Sequence, residues 1–252
     1  MNNIPIVSIV TPCYNAEIFI NKCIESVLAQ TFIHWEMIIV DDFSNDNSLE
    51  IIKKYSNFDN RIIFIRNQNN MGAAQSRNIA TQRSLGRYIA FLDSDDTWYK
   101  NKLERQISLM NEKNSALSYT AYYTMDDQDK KLALHPVKGE VGYIDLLKYP
   151  SIIGTLTLVY DTQKIGKYFF ENIGHEDYVL KLKILKRIGI AVGILEPLAA
   201  YRVHDNSLSS NKIQALQWVW NIYRNKEKLS VLKSFFYFVH YVVYSFTKYK
   251  KL

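Results

Sequence analysis

The sequence predicts an α/β fold, with a doubly wound, mostly parallel central sheet followed by a C-terminal helical extension. Two observations predict the sheet. Short apolar segments alternate with segments of helical periodicity along the first half of the chain, and the segment Tyr88–Leu92 is apolar enough to be a buried strand. This alternation implies parallel strands joined by crossover helices. The third observation is the helical spacing of apolar residues from Ile213 onward, which predicts the extension.

The elements follow in order. We expect strands at 4–11, 35–40, 61–66 and 88–92, separated by helices at 18–28, 44–55 and 72–85 and followed by a helix at 98–110. The second half is less regular. It predicts a strand at 116–125, a polar turn at 126–131, a short helix at 142–149, a strand at 152–160, a helix at 176–187 and an extended segment at 190–203.

Length and composition indicate a globular protein. The chain has 252 residues, of which 48% are hydrophobic and 22% charged. Because no linker or repeat interrupts it, we expect one domain over 1–210, divided into halves at 110/111, and an extension over 211–252. The N-terminus shows no signal-peptide pattern, and Cys13 and Cys23 are expected to be reduced core residues. These features predict a cytoplasmic protein.

The strand at 88–92 runs directly into three carboxylates. Asp93, Asp95 and Asp96 would emerge together at its carboxyl end, which is the edge where open α/β sheets bind ligands. Such a cluster is repulsive unless a cation or hydrogen-bond donors offset it. A hard divalent ion would do so. The alternatives are a solvated loop, or an N-cap at Asp96 or Thr97 for the helix expected next.

Five further segments carry polar residues at element ends. They are Pro12-Cys13-Tyr14-Asn15, the VDDFS segment at 40–44, the GAAQSRN segment at 72–78, the HED segment at 175–177 and the YRVH segment at 201–204. The first three are predicted to lie with the acidic cluster at one edge of the sheet. Such convergence is typical of a ligand site.

In this order, the six segments resemble those of the family 2 glycosyltransferases of GT-A fold. The resemblance is densest over residues 4–110 and continues more sparsely to about 210. It implies a sugar-nucleotide donor, UDP-linked, bound by the 1–110 half, and an acceptor bound by the 111–210 half. It also implies a divalent metal, manganese or magnesium, and transfer with inversion to a growing cell-surface glycan such as lipopolysaccharide or capsule.

The resemblance assigns roles to individual residues. Asp177 would be the catalytic base, and the metal would be held by the Asp-x-Asp pattern, Asp93 and Asp95, with Asp96 and His204. The donor-binding residues would be Pro12, Tyr14, Asn15, Asp42, Gly72, Arg77, Asp93 and Ser94. Tyr14 suits stacking on a base, Asp42 suits the imide edge of uracil, and Gly72 allows close backbone approach at a helix start.

Several of these residues also have ordinary structural interpretations. Arg77 could contact the diphosphate, orient the acidic loop or form a surface ion pair. Glu176 and Asp177 could simply favour a helix N-terminus, and His204 could be structural. Lys181 lies where many relatives carry an aromatic residue, so the family's mode of acceptor recognition is not carried over to it.

The C-terminal segment combines an apolar helical stripe with basic residues. The stripe comprises Leu232, Phe235, Phe236, Val239, Val242, Val243 and Phe246, and the chain ends in the Lys248, Lys250 and Lys251 cluster. The formal net charge is +6, which favours an anionic partner, and no nucleic-acid motif is present. We expect peripheral membrane contact through residues 229–252, suited to a lipid-linked acceptor. The alternative is packing on the domain or in a dimer, and the oligomeric state stays open.

Two other function classes are compatible with strand-tip carboxylates. A nucleotidyltransferase would need a basic phosphate-binding loop after the first strand, but residues 12–17 contain neither Lys nor Arg. A catalytically inactive sugar-nucleotide-binding module is disfavoured because Asp93, Asp95 and Asp177 are all present.

Overall fold

A computed structural model of the chain describes residues 4–203 and 212–249, with side chains described for 4–203 and 214–244. The described residues contain ten strands: β1 Val7–Cys13, β2 Trp35–Asp41, β3 Ile62–Arg66, β4 Tyr88–Phe91, β5 Thr97–Trp98, β6 Leu117–Met125, β7 Lys131–His135, β8 Glu140–Gly142, β9 Val159–Asp161 and β10 Ile190–Arg202. The helices of this part are α1 Ile20–Leu28, α2 Ser48–Phe58, α3 Ala73–Arg83, α4 Lys102–Glu112, α5 Tyr143–Lys148, α6 Thr162–Ile165, α7 Glu176–Ile188, α8 Lys212–Asn221 and α9 Val231–Tyr249.

The strands form one mixed sheet in the order β3-β2-β1-β4-β9-β6-β10-β5, with β7 beside β6 and β8 beside β10. β1 pairs in parallel with β2 and β4, β2 with β3, and β6 with β10. β9 is antiparallel to both β4 and β6, so β4 and β6 point the same way. The predicted doubly wound, mostly parallel sheet with a helical C-terminal part is confirmed. The predicted boundary at 210/211 lies outside the described residues.

Two apolar cores cover the two faces of the sheet. Successive residues of a strand point to opposite faces, so that in β1 Ile9 packs against α1, α2 and α4, whereas Val10 packs on the side of α3, α5 and α7. α1 shows the pattern that the sequence predicts, because its buried residues recur at helical spacing: Ile20, Cys23, Ile24 and Val27. Burial raises the pKa of the Cys13 thiol to about 12 and that of Cys23 well above its usual range, which fits inert core residues.

The helix predicted at 98–110 begins later, at Lys102. Thr97 and Trp98 instead form β5, which pairs with Ala199 and Ala200 of β10. The Trp98 indole N–H also donates to the carbonyl of Leu156, at 2.9 Å. The suggestion that Asp96 or Thr97 caps this helix is therefore wrong. Contacts with β10, one hundred residues away, override the local helical pattern.

The strand predicted at 152–160 is mostly absent. A 3₁₀ turn occupies Thr155–Thr157, and only Val159–Asp161 pairs in the sheet. The Thr157 hydroxyl donates to the carbonyl of Gly154 at 2.7 Å, which is a local bond of the kind that competes with a strand ladder. The turn predicted from Asp126 is present, because its carboxylate accepts from the amides of Gln128 and Lys130.

α9 packs on the domain by its tyrosine-rich face. Tyr237 contacts Tyr223, Phe238 contacts Trp220, and Tyr244 contacts Tyr149, with ring centroids 5.0–6.3 Å apart. Helical spacing places the exposed apolar side chains on the opposite face, namely Val231, Leu232, Phe235, Phe236, Val239 and Val243. Among the helices that the structure describes, none is long and apolar enough to cross a bilayer.

Lys102, on the first turn of α4, gives a prediction about stability. Its side chain is fully buried, its ammonium lies 3.9 Å from the Trp98 ring centroid, and no described group accepts a hydrogen bond from it. Burial lowers its pKa well below the usual range. Lys102→Met should therefore raise the free energy of unfolding at pH 7 by about 1–3 kcal/mol. Urea denaturation measures the change, and Lys100→Met, at an exposed position nearby, is the matched control.

The effect of Lys102 on stability should depend on pH. The folded state binds the ammonium proton of Lys102 less tightly than the unfolded state. The loss in free energy of unfolding caused by the buried charge is therefore present below the unfolded pKa of about 10.4 and shrinks as pH rises toward it. The advantage of the Met variant should decline between pH 7 and pH 10. An advantage that grows with pH would contradict this account of Lys102.

Candidate active site

The loops after β1 and β2 are fastened to each other at the carboxyl edge of the sheet. The Asp42 amide donates to the carbonyl of Cys13 at 2.8 Å. The Asn15 amide donates to the Ser44 hydroxyl at 3.0 Å, and the Asn45 amide donates to Oδ1 of Asn15 at 2.9 Å. Between these bonds Tyr14 and Phe43 occupy adjoining loops, and both side chains are exposed. Tyr14 and Phe43 offer planar apolar surface at the edge of the sheet where the resemblance implies that the nucleobase of the donor binds.

Two of the predicted donor residues are buried. Pro12 is buried within β1, opposite Val40 of β2, and Ser94 is buried beside the Cys13 thiol. Pro12 lies two residues before Tyr14, and Ser94 follows Asp93 directly. The predicted contacts of Pro12 and Ser94 with the donor stay predictions.

The Asp42 carboxylate organises the loop that leads into α3. Oδ1 accepts from the Asn67 amide group at 2.6 Å and from the Met71 backbone N–H at 2.9 Å, while Oδ2 accepts from the Gly72 N–H at 2.7 Å. Three donors leave this carboxylate little capacity for another, since it has about four lone-pair positions. Its predicted contact with a base stays a prediction.

The N-terminus of α3 faces the same edge. Gly72, the residue before the helix, has φ +85°, a left-handed conformation that glycine adopts without strain. The first-turn amides of residues 73–75 have no acceptor among the described residues. Unpaired N–H groups and the helix dipole favour an anion at such a position.

Arg77, on α3, joins two motifs that are far apart in the sequence. Nη2 lies 2.7 Å from Oδ1 of Asp93 and Nη1 lies 3.1 Å from Oε1 of Glu176, while the guanidinium stacks over Phe170. Although burial opposes its charge, the two carboxylates raise the pKa of Arg77 further above its usual range. Among its alternatives, the structure favours an arginine that orients the acidic loop. Its Nε is buried without a described acceptor.

The acidic strand tip has one buried and two accessible carboxylates. Asp96 is 1% exposed, whereas Asp93 and Asp95 are half-buried. Oδ1 of Asp96 accepts from the Arg202 backbone N–H at 2.9 Å, and the Arg202 Nε donates to the carbonyl of Asp95 at 2.8 Å. Burial, with the charges of Asp95 and Asp93, raises the pKa of Asp96 well above its usual range.

The convergence of these carboxylates fits a hard divalent cation. Oδ2 of Asp96 has no hydrogen-bond partner within the described residues, and the mutual repulsion that raises its pKa is what a cation would relieve. Yet no three His, Cys, Asp or Glu side chains of those residues are already arranged as a metal site. His204 lies outside the described residues. The metal assignments stay predictions.

Asp177 is the second residue of α7 and lies among cationic and polar groups. Oδ2 accepts from the Lys181 ammonium at 2.7 Å and from the Thr155 hydroxyl at 2.8 Å, and no described group donates to Oδ1. Burial alone would raise the pKa of Asp177, but Lys181, His175 and Thr155 together hold it well below its usual range. Burial and the charge of Asp177 raise the pKa of Glu176, which Arg77 partly offsets.

Four residues near the site were missed by the sequence reasoning or given no role in it. Asn67 and Thr155 fix Asp42 and Asp177, Arg202 lies under the acidic loop, and Lys181 pairs with Asp177. The only sequence signals for them were the YRVH segment and the unusual lysine at 181.

Comparison with known proteins agrees with this geometry. A family model described as Glycosyl transferase family 2 matches residues 8–168. The chain is 42% identical over 240 residues to a putative teichuronic acid biosynthesis glycosyltransferase, TuaG of Bacillus subtilis, covering 94% of each chain. It is 37% identical over 244 residues to WfgD of Escherichia coli, a UDP-Glc:alpha-D-GlcNAc-diphosphoundecaprenol beta-1,3-glucosyltransferase, covering 96% of this chain and 94% of WfgD.

Among solved structures the chain resembles S. aureus TarS 1-349 in complex with UDP-GlcNAc. The TM-score is 0.72 at 21% identity, over 87% of this chain and 66% of the TarS chain. The chain thus spans just under two thirds of that TarS chain. At this identity the likeness shows a shared fold.

Proposed function

The chain belongs to glycosyltransferase family 2, and from this premise we propose that it transfers a sugar, with inversion, from a UDP-linked donor to a hydroxyl of a lipid-linked, cell-surface glycan. One observation carries the proposal. Arg77 contacts both Asp93 and Glu176, so the acidic strand tip and the acid pair at 176–177 belong to one site. The activity for which WfgD is named supports the donor and acceptor classes, and the UDP-GlcNAc complex of TarS supports the donor class.

The donor would occupy the carboxyl edge of β1, β2 and β4. Tyr14 and Phe43 provide surface for the base, and the free amides at the start of α3 provide donors for the diphosphate. Asn15 and Asp42 hold the loops on which these groups lie. Asp93 and Asp95, with Asp96 behind them, would hold a divalent cation, which when bound neutralises charge on the leaving diphosphate.

The acceptor side requires one base. In a single displacement the acceptor oxygen attacks the anomeric carbon, the bond to the diphosphate breaks, and the hydroxyl proton needs a recipient. Asp177 is the proposed recipient because its Oδ1 has no described partner, whereas Glu176 is engaged by Arg77. The low pKa of Asp177 keeps this carboxylate ionised at neutral pH.

A panel of sugar nucleotides tests the function. Transfer and donor hydrolysis should be measured for each with and without manganese, and thermal protection should identify the nucleotide that binds. We expect metal-dependent turnover with a UDP-sugar. Protection without turnover would favour the inactive binding module, and absence of both with every donor would exclude the proposed enzyme.

We further propose that the outward face of α9 docks on an anionic membrane at its cytoplasmic side. That face carries four aliphatic and two aromatic side chains at more than 40% exposure, of which Leu232 is the most exposed at 84%. Residues 228–252 contain five lysines and no aspartate or glutamate. An exposed apolar face with only positive charge suits a lipid interface, and it would bring the site to a lipid-linked acceptor.

The double variant Phe235→Asp/Val239→Asp should weaken binding to phosphatidylglycerol-containing vesicles by roughly tenfold or more, because two apolar side chains that would enter the lipid are replaced by anionic ones. Vesicle co-sedimentation measures this. Phe58→Asp, at an apolar position on α2 that is more exposed than either, is the control and should bind like wild type. Equal binding by all three proteins would remove the membrane proposal.

A further inference from the structure

Lys181 is a buried lysine that contacts the proposed base. It lies one turn after Asp177 on α7, its side chain is 3% exposed, and its ammonium bonds to Oδ2 of Asp177 and, at 3.0 Å, to the carbonyl of Ile153. A lysine is seldom so buried unless it is paired. Because the Ile153 carbonyl belongs to the loop that also carries Thr155, Lys181 links α7 to that loop.

We propose that Lys181 is a positioning residue of the transfer reaction, which together with Thr155 holds Oδ2 of Asp177 and leaves Oδ1 as the oxygen that receives the acceptor proton. The inference rests on the proposed function, in which Asp177 is the base. Two donors on one oxygen fix the rotation of the carboxylate. Orientation of this kind lowers the entropy cost of reaching the transition state.

The ion pair between Lys181 and Asp177 also controls the ionisation of Asp177. Asp177 is faced by Lys181 from its own helix, by His175 before the helix, by its neighbour Glu176 and, at longer range, by Arg77 of α3. Burial raises its pKa, and the Lys181 charge and hydrogen bond are the largest opposing effects. Lys181 therefore keeps the Asp177 carboxylate ionised, and so able to accept a proton, at neutral and mildly acidic pH. The accepted proton is returned to water once product leaves.

The pH profile of kcat/KM tests this role. Wild type should show no acid limb between pH 5 and pH 8. Lys181→Met removes the charge at similar volume, so its acid limb should move up by at least one pH unit into that range, with donor KM unchanged. Lys181→Arg should retain the wild-type profile. A uniform loss at every pH in the Met variant, without a shifted limb, would overturn the proposal.

Stability supplies a readout that does not depend on turnover. In wild type the folded pKa of Asp177 is depressed, so the stability it contributes is present above the unfolded value of about 3.9 and is lost only as pH falls through the folded pKa. In Lys181→Met, unopposed burial raises the folded pKa of Asp177. The free energy of unfolding of this variant should therefore fall below that of Asp177→Asn/Lys181→Met, and this deficit should be largest at pH 7 and shrink toward pH 5.

The outcomes separate the two proposals. A deficit that stays constant between pH 7 and pH 5 would refute the pairing role even in an active enzyme. If no donor is turned over by wild type, the proposed function fails, and the stability series still decides whether Lys181 controls Asp177. Lys181→Gln serves in the same series if the Met variant does not fold.

Discussion

Asp177→Asn should lower kcat for sugar transfer by about 10²–10⁴-fold while leaving nucleotide binding unchanged, since a positioned base typically contributes that much. The amide has the shape of the carboxylate but cannot take the acceptor proton. Asp177 belongs to the acid pair at 176–177, whereas the donor surface is built from the loops after β1, β2 and β4. Transfer kinetics give the loss of kcat, and thermal protection by UDP checks donor binding.

The variant also leaves the buried Lys181 without its carboxylate, so a loss of folding must be separated from a loss of chemistry. Asp177→Asn/Lys181→Met removes both charges and should restore stability without restoring activity. Asp127→Asn, in the exposed turn after β6, is the matched control and should transfer like wild type. Full activity in Asp177→Asn would show that Asp177 is not the base.

Arg77→Met should be the most destabilising of the substitutions considered, at about 3–5 kcal/mol, because removing one partner of a buried ion pair leaves the others uncompensated. Here a single guanidinium at 7% exposure serves both Asp93 and Glu176. Urea denaturation measures the loss. Transfer should also be abolished, because the loop carrying Asp93 and the start of α7 lose their common anchor.

Arg83→Met is the control for this substitution, since Arg83 ends the same helix at an exposed position. It should change the free energy of unfolding by no more than about 0.5 kcal/mol. Arg77→Lys keeps the charge but cannot bond to both carboxylates as the guanidinium does, so its free energy of unfolding should lie between those of Arg77→Met and Arg83→Met. Equal stability of Arg77→Met and Arg83→Met would contradict the bridging role.

The fold could be predicted wherever local pattern and tertiary environment agree. Helix α1 shows its buried face in its own spacing, and β1, β2 and β4 are apolar runs buried on both sides. The two errors have different causes. Trp98 pairs with β10, a partner about one hundred residues away, which overrides the local helical pattern. Residues 155–157 instead form a 3₁₀ turn in which the Thr157 hydroxyl bonds to the nearby Gly154 carbonyl, a local bond that alternation of side chains does not reveal.

The location of the candidate site could be predicted from the sequence, but most of the contacts between its side chains could not. Strand ends mark the edge of the sheet, which is why Tyr14, Asp42 and Asp93 were found together. The sequence could not show that Asp96 faces inward, that Arg77 bonds to two motifs, or that Asp42 is occupied by three donors. These facts depend on contacts between residues 16 to 107 positions apart in the sequence.

The C-terminal helix illustrates the same limit. Apolar side chains occur around most of α9, so spacing alone does not say which face packs inward. The structure shows that the tyrosine face covers the domain and that the face with Leu232 and Phe235 is left outward. The alternative of a packed helix and the expectation of a membrane contact therefore concern opposite sides of one element.

Inverting transfer by this chain is tested most directly by following the anomeric protons of donor and product by NMR during turnover with wild-type protein, a UDP-sugar and a polyprenyl-diphosphate-linked acceptor. We expect UDP to be released as a new glycosidic linkage appears with inverted anomeric configuration, and we expect Asp177→Asn to suppress both signals. A product with retained configuration, or donor left unconsumed with every sugar tried, would contradict the proposed inverting transfer.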